Sequence, residues 1–126
     1  NLVSVFKALK RTQRRMMMRV ILIEPGAAPE VKNIEWHGNA DELLGGFAGL
    51  MQFPFDAAGV LHDADGAMKG KPQNRMYRGQ WLHGRAVIVG VKDGTYCDLS
   101  PEQEVLYAQR WKNTKIPYEK MRWDRC

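Results

Sequence analysis

The residues with the most chemical potential lie between Lys69 and Trp81. Lys69, Lys71, Arg75 and Arg78 follow one another closely, interleaved with Asn74 and Tyr77 and followed by Trp81. Guanidinium forks match phosphate and carboxylate oxygens, and an aromatic ring beside them stacks on a base. An Asn amide reads a polar edge or shapes a backbone turn. The pattern points to a small anionic ligand such as a nucleotide, with Lys69, Lys71, Asn74, Arg75, Tyr77, Arg78 and Trp81 as the ligand-binding set. The same segment admits an architectural reading, in which Asn74 shapes the loop and Arg75 pairs with Glu24 or another acidic strand end.

Other chemistry has weaker support. Cys97 with His37, His62 or His83 supplies the residue types of nucleophilic catalysis, but no motif gathers them. His62, Asp63 and Asp65 share one turn, yet an acidic turn is ordinarily solvated, and no metal site is expected. Neither a phosphate-cradling Gly-x-x-x-x-Gly-Lys-Ser/Thr loop nor a dinucleotide fingerprint is present. The expectation is a non-catalytic binding protein without metal or cofactor. Cys97 and Cys126 have no second Cys or His at ligand spacing and are expected to be free thiols in a reducing cytoplasm.

The charge is unevenly placed. Of a net +5 on 126 residues, the five basic residues of 1–17 account for all of it. Residues 18–111 carry nine basic and twelve acidic side chains, and residues 112–126 five and two. An acidic body with basic ends argues against a nucleic-acid-binding core, although the ends could touch nucleic acid or anionic lipid. No apolar run approaches the length of a membrane helix, and no signal-peptide core stands near the start. The expected organisation is a basic amphipathic extension at 1–17, an α+β domain at 18–111 and a polar basic tail at 112–126. In the extension, Leu2, Phe6 and Leu9 share a face. The triplet Met16-Met17-Met18 offers starts of translation just before the first strand.

The elements that must position the basic loop follow from periodicity. RVILIE at 19–24 predicts a central strand buried on both faces. Pro25-Gly26 turns the chain into an alternating strand ending near Trp36. Asn39 caps a helix whose stripe is Leu43, Leu44, Phe47, Leu50 and Met51, with Gly45, Gly46 and Gly49 marking close packing on a sheet. Residues 59–62 and 67–69 predict a hairpin about Asp65-Gly66, and 70–80 a loop. RAVIVGV at 85–91 is a second buried strand, returned by Asp93-Gly94 through 95–99. Ser100-Pro101-Glu102-Gln103 is a capping box opening a helix that reaches about Trp111. Trp36 and Trp111 are expected in the core, Trp81 at the ligand, and Tyr118, Met121 and Trp123 as anchors of the tail. The order β-β-α-β-β-loop-β-β-α predicts a single α+β domain, a mainly antiparallel sheet with two packed helices.

Several of these segments together resemble one family. They are MRVILIEPGAAPEVKNIE at 18–35, Leu43-Leu44-Gly45-Gly46-Phe47, Asp65-Gly66, Pro72-Gln73-Asn74-Arg75, the Gly-bounded strand from Gly84 to Gly90, and Leu99-Ser100-Pro101-Glu102-Gln103. In this order they resemble the DUF3846 family, a domain of unknown function, over about residues 18–111. The chain departs from the pattern at Ala67-Met68-Lys69, where the family tends to place Gly-Lys directly, and at Lys71, where an apolar residue is usual. The resemblance implies a protein of phages, plasmids or conjugative elements and brings no catalytic activity with it.

The functional expectation joins these strands. It is a phage or mobile-element accessory protein acting in counter-defence by sequestering a small anionic ligand, such as a nucleotide immune signal, with a homo-oligomer as a natural way to complete the pocket. The alternative is a protein-binding inhibitor of a host defence nuclease or effector, with the basic segment 1–17 and the tail 112–126 making the contacts.

Overall fold

The computed structural model describes residues 16–112. The expectations for the extension, for the tail anchors Tyr118, Met121 and Trp123, and for Cys126 lie outside the described residues. Within them the chain runs β1 (Met17–Ile23), β2 (Glu30–Glu35), α1 (Ala40–Leu44), β3 (Ala48–Gln52), β4 (Ala58–Asp63), β5 (Gln73–Tyr77), β6 (Gln80–His83), β7 (Ala86–Lys92), β8 (Thr95–Cys97) and α2 (Pro101–Lys112). One sheet has the order β2-β1-β7-β4-β3, with β8 also on β7, and β5-β6 is a separate ribbon. Every pairing is antiparallel. The fold is α+β, a mainly antiparallel sheet with two helices.

Alternation along three apolar strands makes two cores. Ile21, Ile23, Val60 and Ile88 face one side, where Phe53, Leu82, Tyr107 and Trp111 pack on them. Val20, Leu61, Val87 and Val89 face the other, beneath Leu44. Thus α2 and the β5-β6 ribbon cover one face and α1 the other. The near-continuous apolar runs of β1 and β7 are explained by this double burial. Trp111 is in the core as expected, and Trp36 is half-buried, edge-on to Tyr96.

The caps form as the sequence requires. Asn39 Oδ1 accepts from the Asp41 and Glu42 amides. Ser100 and Gln103 exchange side-chain-to-backbone bonds at 3.1 and 2.9 Å, completing the capping box. Gln103 Nε2 also donates to Asp56 Oδ1, and the Tyr107 hydroxyl donates to Asp56 Oδ2, so α2 is tied to the β3-β4 turn. Arg19 bonds Glu104 at 2.9 Å and ties α2 to β1.

Three expectations are corrected. The helix expected to run on through Met51 stops at Leu44. Gly45 takes a left-handed conformation (φ 66°) and its N–H returns to Asp41 O, so Leu50 and Met51 lie on β3 and Phe47 just before it. Gly46 and Gly49 do mark close packing, but against β4: a Cβ on Gly46 would stand 2.2 Å from Asp63 Oδ2, and one on Gly49 3.2 Å from His62 Nε2. The return strand expected at 67–69 is absent. Residues 64–70 form turns closed by backbone bonds from Lys69 to Asp65 and from Lys71 to Gly66, while β4 pairs with β3 and β7. The loop expected at 70–80 is instead the β5-β6 ribbon. Its tip, Arg78-Gly79, has φ of 52° and 76°, the same pair of positive angles as Asp93-Gly94 at 52° and 75° between β7 and β8.

A tight seam in the central strand generates a stability prediction. A Cβ on Gly90 would stand 2.5 Å from Asp98 O and 2.9 Å from Cys97 O, both backbone atoms that cannot swing away. Gly90→Ala is expected to lower unfolding free energy by about 1–3 kcal/mol in denaturant titration.

Candidate functional site

The sequence motif Pro72-Gln73-Asn74-Arg75 sits where the ribbon crosses the end of the sheet. Asn74 is fully buried. Its Nδ2 donates to Ile23 O and Gly84 O, each at 2.8 Å, joining the end of β1 to the β6-β7 connection. Its Oδ1 accepts from Arg75 Nη1 at 3.1 Å. Arg75, 3% exposed, continues the chain of bonds: Nε donates to Trp111 O at 3.2 Å and Nη2 to Ala27 O at 2.5 Å. Burial pushes the Arg75 pKa down from its ordinary value, yet an arginine stays charged. Trp111 lies in the last described turn of α2, whose C-terminal end favours a cation. Arg75 therefore bonds the C-terminal end of α2, not the carboxylate of Glu24.

Lys69 and Lys71 converge on a second buried group. Asp63, whose side chain is 1% exposed, accepts from Lys71 Nζ at 2.7 Å and Lys69 Nζ at 3.1 Å, and its Oδ1 accepts from the Asp65 amide. The Lys71 ammonium is the main cause holding the Asp63 carboxyl well below the usual carboxylate range. Burial opposes it, and the Asp65 amide and Lys69 reinforce it. Lys71 Nζ also donates to Leu44 O and Gly45 O, while Arg85 donates to Leu43 O and to Glu24 Oε1 at 2.6 Å. Two cations thus serve the carbonyls at the end of α1 as Arg75 serves those of α2.

The remaining residues of the expected ligand set point elsewhere. Tyr77 stacks into the aromatic core with Phe53 and Trp111, ring centroids 5.6 and 5.3 Å away. Arg78 is exposed at the ribbon tip, its guanidinium 5.6 Å from the Tyr77 ring centroid. Trp81 is half-buried and pairs across the ribbon with Met76. The structure thus joins Asn74 to Arg75 and Lys69 to Lys71 through Asp63, and does not gather the seven around one pocket. Lys71 alone of them lines a cleft of about 420 Å³, which it shares with Glu24, Glu42 and Arg85. That mixture of signs is not an anion site.

His62 is buried beside Gly49, and its pKa is lowered by desolvation. His83 Nδ1 lies 2.9 Å from Lys71 O, and His37 meets Glu35. None of these contacts involves Cys97, which is a free thiol paired through its backbone with Gly90. Among the described residues no three His, Cys, Asp or Glu side chains stand together as a metal site would require. No described helix is long and apolar enough to cross a membrane.

A larger groove escaped the sequence reading. It has a volume of about 750 Å³ and runs between α2 and the β1-β2 connection. Ala28, Pro29, Val31, Val105 and Ala108 give its apolar surface, with Arg19, Glu104, Gln109 and Lys112 around them. The available signal was the pair Val105-Leu106, apolar yet off the buried Tyr107/Trp111 stripe. Val105 is 69% exposed.

The Asp63 cluster predicts a pH dependence. A carboxyl whose folded pKa is depressed contributes stability that is complete above its unfolded pKa, about 3.9, and is lost as pH falls below it. Asp63→Asn is expected to remove about 1–3 kcal/mol at neutral pH and to flatten the fall in stability below about pH 4. Urea titrations of both proteins across that range check both parts.

The geometry can be set beside known proteins. No curated protein and no solved structure matches the chain. A family model described as a domain of unknown function (DUF3846) matches residues 18–112, from the second residue of β1 to the end of α2. That span contains the whole sheet apart from Met17, both helices and the Asn74-Arg75 motif, and the chain belongs to the DUF3846 family.

Proposed function

We propose that the domain is a non-catalytic binding protein, an accessory factor of a phage or other mobile element, and that it grips a protein partner in the groove beside α2. One observation carries this reading: an apolar floor of Pro29, Val31, Val105 and Ala108 is framed by Arg19, Glu104 and Lys112. An apolar centre within a polar rim is the anatomy of a protein interface. Val105 contributes little to the domain's own core at 69% exposure, which leaves its apolar surface to a partner. A host defence nuclease or effector is the partner class that fits a counter-defence role.

Sequestration of a nucleotide by residues 69–81 has less support. Phosphate recognition needs cations with donors facing solvent. Lys69 and Lys71 are engaged by Asp63, and Arg75 by three protein oxygens. Arg78, Trp81 and the exposed Lys69 remain as the groups of that set able to meet a ligand, and they are not gathered in one enclosed pocket.

The test compares two surfaces. Partners captured from host extract are identified, purified and titrated against wild type, Val105→Asp and Arg78→Ala. A charge placed in the apolar centre is expected to weaken binding by about tenfold or more, and Arg78→Ala to change it by less than about threefold. Depletion of a nucleotide from solution, abolished by Arg78→Ala and retained by Val105→Asp, would instead assign function to the ribbon. Release of an altered nucleotide would make the protein an enzyme.

A further inference from the structure

The two edges of the main sheet are built differently. The β2 edge, EVKNIE, carries Glu30, Lys32 and Glu35, charges that discourage another strand from pairing with it. The β3 edge, AGLMQ, carries no charge and no proline. At one end of it stands Phe47, 64% exposed, and at the other Phe55, fully exposed. Phe55 holds φ at 67°, a strained angle for a bulky residue, and strain of this kind collects where a side chain is presented for function.

The direction of the free backbone groups follows from the register. Ala64 N–H donates to Phe47 O, and Phe53 N–H donates to Ala58 O. With Leu50 opposite Leu61, antiparallel alternation turns the odd residues of β3 toward β4 and the even ones, Ala48, Leu50 and Gln52, toward the open side. The Ala48 amide is taken by Asp41 Oδ1 at 2.9 Å. The Ala48 carbonyl and both backbone groups of Leu50 and Gln52 face outward.

We infer that β3 is the seam of a homodimer, in which two copies pair their β3 strands antiparallel about a two-fold axis at Leu50 and make one continuous sheet. The occupant is a second copy because the edge is complementary to itself. Leu50 N–H and C=O exchange bonds with their own symmetry mates, and each Gln52 N–H meets the Ala48 carbonyl opposite, the outward group of Ala48 that no described residue takes. Charge favours the same choice. Pairing two copies of β3 brings no like charges opposite one another. Phe47 and Phe55 of both copies then lie at the two ends of the seam. This interface is separate from the groove beside α2 and does not depend on it.

The experiment measures solution mass and proximity together on the full chain. Light scattering is expected to give twice 14.4 kDa for wild type and 14.4 kDa for Leu50→Lys, with unchanged far-UV circular dichroism. In a Cys97→Ser, Cys126→Ser background, Leu50→Cys is expected to form an intermolecular disulfide on mild oxidation, because directly paired residues place their Cα atoms about 5.5 Å apart. Val105→Cys in the same background is not expected to do so. A wild-type protein of single mass at its highest soluble concentration would overturn the inference. So would a dimer unaffected by Leu50→Lys, or cross-linking at 105 in place of 50.

Discussion

The fold depends on one buried amide and the guanidinium beside it. Asn74 holds the end of β1 and the β6-β7 connection through two carbonyls, and Arg75 holds the β1-β2 turn and the last described turn of α2. Without these bonds, Ile23 O and Gly84 O would each lose a buried donor, and an unmatched buried acceptor costs about 1–3 kcal/mol. The bonds also place the ribbon so that Leu82 and Tyr77 complete the aromatic core around Phe53, Tyr107 and Trp111. Polar satisfaction and apolar packing are here one arrangement. Among the described residues no buried side-chain nitrogen or oxygen lacks a partner.

A common theme explains the cations. Arg75 meets the last turn of α2, and Lys71 and Arg85 meet the last carbonyls of α1. Helix α1 has only five residues, and a cation at the negative end of a helix stabilises it. Part of a basic segment that reads as ligand-seeking in sequence, Lys71 and Arg75, is thereby turned to the protein's own carbonyls. The two surfaces proposed for partners are mainly apolar: the groove beside α2 and the uncharged edge at β3.

Much of the fold was legible because local signals agreed with the tertiary result. The double burial of β1 and β7, the Asn39 cap, the Asp93-Gly94 turn and the Ser100-Gln103 box are all written in short stretches. The errors fell where local chemistry was ambiguous. Leu43, Leu44, Phe47, Leu50 and Met51 fit a helical period, but the left-handed Gly45 ends the helix and Asp63 occupies the space a side chain at 46 would need. The ribbon went unread because Arg78-Gly79 lacks the Asn or Asp that usually marks a tight hairpin, and because Pro72 and the polar residues around it look like loop. At the candidate site, composition pointed to the segment 69–81 but could not show which oxygens Asn74, Arg75 and Lys71 would meet. The carbonyls that orient Asn74 and Arg75 come from Ile23, Ala27, Gly84 and Trp111, mostly distant in sequence. The groove was illegible for the same reason, since its two walls meet only in the fold.

The measurement closest to the central claim is equilibrium unfolding of Asn74→Ala beside Arg78→Ala. Loss of the clamp is expected to reduce unfolding free energy by about 2–4 kcal/mol in Asn74→Ala, whereas the exposed Arg78→Ala should stay within about 0.5 kcal/mol of wild type. An Asn74→Ala protein as stable as wild type would contradict the account and return the Asn-Arg motif to the role of a ligand site.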